Sequence, residues 1–221
     1  MVRTSPLYIY RWIVFLLAAW FAVYHIWTGD YSNFGGPFRK LTFWGLFLSF
    51  FAASRMIAIM EHRTTRSHDV TAMVAAVVNG MVVFLYWRLY FEDPALVHDS
   101  GNTGPWWDNY YLHLVGPALQ IFDAIFLKRA FSKPLKAVVP LLLFVSAYVL
   151  WGELALQPLS DLPSGSVTSG LPYPFLNNME LGARAGFYGT NLGFSVVLLA
   201  LLSAIAWVAN KALGPKARQT T

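Results

Sequence analysis

The sequence predicts an all-α integral membrane protein, a single domain over residues 1–221 built as a bundle of six transmembrane helices with both termini cytoplasmic. Three observations predict it. Of the 221 residues, 57% are hydrophobic and only 12% charged, against roughly 45–50% and about 25% in a soluble domain. Six apolar runs each reach the roughly 20 residues that a helix needs to cross a hydrocarbon core of about 30 Å. Basic residues gather in the loops of one side, the pattern that sets orientation during insertion.

The first run, Leu7 to Trp27, is too long for a signal peptide and lacks a small-residue cleavage pattern, so it reads as a retained span. The second extends from Leu41 to Met60 and the third from Val70 to Phe91. The fourth, Trp106 to Leu127, and the fifth, Leu135 to Leu156, contain Pro117 and Pro140. Each proline removes a backbone donor and can kink its helix and open polar space. The sixth span is Leu181 to Ala209. Lipid offers the backbone no hydrogen-bond partners, and the short alternating strands of a barrel are missing, so the spans are helices.

Arg3, Arg63, Arg66, Lys128, Arg129, Lys133, Lys136, Lys211, Lys216 and Arg218 fall on one side of this arrangement, with Arg39 and Lys40 on the other. The opposite side carries Asp30, Glu92, Asp93, Asp99 and Asp161, and the longest loop, Gln157 to Glu180, rich in Pro, Gly and Ser. Loops of that kind often carry function. The net charge of +5 is spread over short loops, which points to topology and not to nucleic acid. There is no cysteine, which excludes disulfides, thiolate metal sites and Cys nucleophiles. Aromatic residues, 17% of the chain, suit helix ends at headgroup depth. No internal repeat marks an inverted-repeat transporter.

Polar residues at membrane depth need a partner, a water cavity or a role. Thr42 sits in the first turn of the second span. Asn109 and His113, four residues apart in the fourth, share a face, and Gln120 and Asp123 extend that stripe toward the bundle interior. A membrane Thr most often bonds the carbonyl one turn back. A membrane His is divided between structure and function, since imidazole serves as base, ligand or bridging donor. Asp123 and Glu153 are candidate partners for Arg88, Arg55 or Arg184. Arg11 and His25 are expected to snorkel to the interfaces, and Asn79 and Asn191 to bond between helices.

Three segments carry a family resemblance. Gly35-Gly36-Pro37-Phe38-Arg39-Lys40-Leu41-Thr42-Phe43-Trp44 resembles the Gly-Gly, basic, Leu-Thr-Phe signature at the second helix of the androgen-induced membrane protein family, which includes the androgen-dependent TFPI-regulating protein. Asn109-Tyr110-Tyr111-Leu112-His113 is similar to that family's Asn-His-x-x-His motif, with Tyr110 in place of the first His. Pro172-Tyr173-Pro174-Phe175-Leu176 resembles its Tyr-Pro-Phe-Leu element. The three recur in the family's order across nearly the whole chain, which is read as a bacterial member in an inner membrane, its site toward the periplasm.

The resemblance implies an intramembrane threonine hydrolase of fatty acid esters of hydroxy fatty acids, with Thr42 as nucleophile and His113 as base. Its partners are then a lipid ester and membrane lipids, and neither cofactor nor metal is required. A Thr hydroxyl is a poor nucleophile until a base takes its proton, and neutral imidazole suits that task. Asn109, Asp108 and Tyr173 are candidate orienting groups. Arg88, Arg184, Arg39 and Lys40 are candidates for a substrate carboxylate, and Phe43 and Trp44 for contact with acyl chains. At about 1.5 Å per residue, Thr42 lies about 2 Å and His113 about 10 Å below their helix starts, a mismatch that tilt or loop geometry must absorb. Two other readings stand beside this one: a haem held by His25 and His113, and a lipid-binding protein or transporter without chemistry.

Overall fold

A computed structural model of the chain describes residues 5–97 and 104–214; Arg3, Asp99, Lys216 and Arg218 of the charge pattern lie outside them. Among the described residues, six helices are long and apolar enough to cross a membrane: α1 (Pro6–Thr28), α2 (Leu41–Met60), α3 (Asp69–Glu92), α4 (Trp106–Leu127), α5 (Leu135–Leu156) and α6 (Leu181–Ala212). α1 opens with Ser5, whose hydroxyl accepts the Tyr8 N–H at 3.2 Å, and with Pro6 at its first position, where a missing N–H costs nothing.

α3 is the centre of the bundle and packs against α2, α4, α5 and α6. Its small residues Ala72, Ala75, Ala76, Val77 and Val78 are fully buried, letting neighbouring backbones approach closely. α1 rests mainly on α2, whereas α5 and α6 pack on α3 and on each other. The outward side chains of Trp20, Leu143 and Val197 are exposed, as lipid-facing positions must be.

One expectation is corrected in the interior. Arg11 does not snorkel; it is buried and donates to Asp123 Oδ1 through Nε at 3.2 Å and Nη2 at 3.1 Å. Asp123 therefore takes its partner from α1, and not from Arg88, Arg55 or Arg184, because an ion in hydrocarbon is tolerated only where an opposite charge meets it. Glu153 does pair with Arg184, as anticipated. Asn79 bonds across helices to Ser49 at 2.8 Å, also as anticipated, but Asn191 donates to Phe187 of its own helix.

The segments before α2 and before α6 fold over one end of the bundle. Gly35 and Gly36 have φ of 93° and 46°, and a Cβ on Gly36 would meet the Tyr31 ring at 2.7 Å, so the Gly-Gly pair is demanded by both conformation and space. Arg39 ends the turn that follows. Its guanidinium donates to the carbonyls of Phe34, Leu162 and Gly170 and to Ser160 Oγ, at 2.7–2.9 Å. It thereby clasps the two segments together above the start of α2 through a fork of charge-assisted hydrogen bonds.

Candidate active site

α2 begins under this cap, and its first turn is held from outside the helix. The Leu41 N–H donates to Tyr173 Oη at 3.3 Å, the Phe43 N–H to the Lys40 carbonyl at 3.0 Å, and Tyr148 Oη to the Arg39 carbonyl at 2.9 Å. First-turn N–H groups have no intrahelical acceptor, so Tyr173 and Tyr148 fix the height and rotation of the turn that carries Thr42.

Thr42 Oγ1 lies 3.3 Å from His113 Nε2. For residues seven positions into α4 and one into α2 to meet, α4 must start about 9 Å above α2 at about 1.5 Å per residue, and the exposed Trp106 and Trp107 at its start fit that projection. His113 is buried, stacked on Tyr86 with ring centroids 3.5 Å apart. Its Nδ1 faces Asn109 Oδ1 at 2.8 Å and the Asn109 backbone carbonyl at 3.0 Å. A carbonyl only accepts, so Nδ1 carries the proton, and in the neutral ring Nε2 presents its lone pair to Thr42. The Asn109 side chain is also bonded to the Tyr86 hydroxyl.

The helix around His113 is widened for this. Tyr111–Val115 forms a π-turn, with the Gly116 N–H bonded to the Tyr111 carbonyl, a local form found mostly at functional sites. Pro117 has no N–H to offer the His113 carbonyl four residues back. Trp87 Nε1 donates to that carbonyl at 2.8 Å instead, so the bond that proline removes is replaced from α3.

Both side chains line a cavity of about 760 Å³, within the range of about 300–1,000 Å³ usual for ligand sites. His25 and Asp108, bonded at 2.8 Å, also line it, as do Tyr86, Tyr148 and Tyr173. A haem between His25 and His113 does not fit: both nitrogens of His113 are engaged, one face of its ring is covered by Tyr86, and His25 Nε2 is turned to Asp108.

Compared with known families, residues 6–206 match the model described as FAR-17a/AIG1-like protein. The chain belongs to the FAR-17a/AIG1-like family. Among curated proteins and solved structures, no match was found.

In this FAR-17a/AIG1-like protein the three resembling segments converge: the first supplies the cap and Thr42, the second Asn109 and His113, and the third Tyr173. Phe43 and Lys40 line the cavity. Three residues expected at the site lie apart from it. Trp44 packs on Phe144 and Tyr148 and donates to the Phe38 carbonyl, outside the lining. Arg184 is buried, held by both Glu153 oxygens at 2.9 and 3.2 Å and by the Met179 carbonyl. Arg88 is exposed on the outer face of α3. The roles of Tyr86, Trp87 and Tyr148 escaped sequence reading, since one aromatic among 37 carries no signal of its own (9 Trp, 11 Tyr and 17 Phe).

Proposed function

We propose that this family member is an intramembrane ester hydrolase in which Thr42 is the nucleophile, His113 the general base and Asn109 the residue that orients His113. The observation that carries the reading is the fixed tautomer, with Nδ1–H committed to Asn109 and Nε2 facing the Thr42 hydroxyl at 3.3 Å. That separation is looser than a short hydrogen bond, as acid–base pairs often are before substrate tightens them. The order nucleophile, imidazole, orienting carbonyl follows the logic of the catalytic triads.

In the first half-reaction Thr42 Oγ1 attacks the ester carbonyl carbon while His113 Nε2 takes the hydroxyl proton. The tetrahedral intermediate collapses with cleavage of the bond to the alcohol oxygen, and His113 returns the proton to the leaving alkoxide. Water then attacks the acyl-threonine, losing a proton to His113, and the acid departs as Thr42 regains its hydrogen. The intermediate's oxyanion needs fixed donors. The Thr42 N–H, in the first turn of α2 at the positive end of the helix dipole, is the donor we assign.

The substrates implied by the family resemblance are fatty acid esters of hydroxy fatty acids, and a membrane cavity with Lys40 and Phe43 in its wall suits such lipids. The charge asymmetry of the loops supports cytoplasmic termini and a site on the opposite side, the periplasmic one in a bacterial inner membrane. Ester turnover by the purified protein, compared with Thr42→Ala and His113→Ala at matched folding, tests the reading. Loss in both is expected; wild-type turnover in both would show that Thr42 and His113 are not the catalytic pair, and an unaltered protein without ester turnover would leave a lipid-binding or transport role.

A further inference from the structure

Tyr86 and Trp87, neighbours on α3, engage His113 at two different places. The Trp87 indole N–H holds the backbone carbonyl at 2.8 Å, while the Tyr86 ring lies on the imidazole, 11° from parallel and with centroids 3.5 Å apart. Tyr86 is itself buried, and its ring stacks on that of Tyr90, one turn further along α3, at 5.6 Å between centroids. Its hydroxyl bonds the Asn109 side chain, whose Oδ1 faces His113 Nδ1 at 2.8 Å. One residue of α3 thus touches both the imidazole and the amide that orients it.

Resting on the acyl-transfer reading above, we propose that Tyr86 is a second positioning residue of the site, acting on His113 directly through its ring and by way of Asn109 through its hydroxyl. The hydroxyl part follows from the bonding of a buried amide. The last torsion of an Asn side chain has broad minima, and an amide that is buried, as Asn109 is, turns to keep both its oxygen and its nitrogen bonded. The bond to Tyr86 removes that freedom, so Oδ1 stays on the Nδ1 proton. The ring part follows from charge. In each half-reaction His113 takes up a proton and becomes an imidazolium, and an aromatic face attracts a cation within about 6 Å of its centroid. Tyr86 therefore favours the charged imidazole that exists as the proton moves over the neutral one of the resting site, and only such a difference speeds a reaction. Tyr86 also lines the cavity, so a direct contact with substrate is the competing reading.

The experiment measures kcat and KM for p-nitrophenyl palmitate, with the full chain purified in detergent, in Tyr86→Phe, Asn109→Ala, the double variant of these two, and Tyr86→Leu. Tyr86→Phe keeps the stacked ring and is expected to lower kcat by about three- to tenfold, the range of one net hydrogen bond, with KM held within about twofold. In the Asn109→Ala background the same substitution is expected to change kcat by less than about twofold, because the hydroxyl has no amide left to hold. Tyr86→Leu removes the ring as well, and a further fall of about fivefold is expected. A Tyr86→Phe loss of equal size in both backgrounds, a loss carried by KM, or a kcat that Tyr86→Phe leaves unmoved overturns the proposal. These readings stand on the Phe variants alone, so a folding defect in Tyr86→Leu leaves them intact. If turnover survives Thr42→Ala and His113→Ala, the acyl-transfer reading itself has failed and the proposal falls with it, a result distinct from equal losses in the two backgrounds.

Discussion

The Nδ1 of His113 meets the backbone carbonyl of Asn109, one turn earlier on the same helix, at 3.0 Å, and the Asn109 side-chain oxygen at 2.8 Å. Two acceptors therefore hold one N–H, only one of which a substitution can remove. Replacing Asn109 by Ala should lower kcat by about tenfold, the worth of one net hydrogen bond. Replacing His113 by Ala should lower it by about 10² to 10⁴, the usual contribution of a general base. Steady-state turnover of a single ester by both variants checks the ranking; equal losses would mean that Asn109 does more than orient the ring.

Trp87 stands in for the hydrogen bond that Pro117 cannot make, so its indole N–H should matter out of proportion to its ring. Trp87→Phe keeps an aromatic body and leaves the His113 carbonyl without that donor, at a cost of about 1–3 kcal/mol. Thermal unfolding in detergent reads that loss. In the double variant with Pro117→Ala the helix regains an N–H for the same carbonyl, and part of the lost stability should return while turnover falls, because the π-turn that aims His113 is then free to close.

The spans were legible because length and apolarity are properties of contiguous sequence, and every helix end falls within three residues of its expected place. The pairing of Asn109 with His113 was legible for a related reason, since four residues is the distance at which one helical turn brings two side chains together. Arg11 was misread because its partner lies 112 residues away, and no local pattern distinguishes an arginine reaching for the interface from one reaching for Asp123. The same holds for His25 and Asp108, 83 residues apart. The meeting of Thr42 with His113 was expected from the family resemblance alone, and their different depths counted against it until the loops that cap α2 set the two helix starts at different heights.

The buried ion pair between α1 and α4 gives a separate test of packing. Both side chains are nearly inaccessible, so removing either charge strands the other. Arg11→Met and Asp123→Leu should each destabilise the fold by about 3–5 kcal/mol. The double variant should recover most of that loss, since an apolar pair of similar volume has no charge to desolvate. A double-variant melting temperature no higher than that of the worse single variant contradicts this account.

His68, in the loop before α3, is held below its ordinary value of 6.5 by burial first, and then by the positive charges of Arg55, Arg66 and Lys128. A histidine whose folded-state pKa is depressed contributes stability that is complete above the unfolded value and is lost as pH falls through the folded one. Unfolding measured from pH 7.5 down to pH 5 should therefore show an acid decline that His68→Gln makes shallower. An identical decline in the variant would assign the slope to other groups.

The central claim is that the Thr42 hydroxyl attacks because the lone pair of His113 is turned toward it. A fluorophosphonate probe reports this directly, since its phosphorus is captured only by an activated hydroxyl. Peptide mass spectrometry of the labelled protein should place the phosphonyl adduct on Thr42, and His113→Ala should lose it while keeping the wild-type melting profile. An adduct on any other residue, or labelling of Thr42 that is undiminished without the imidazole, would contradict the account.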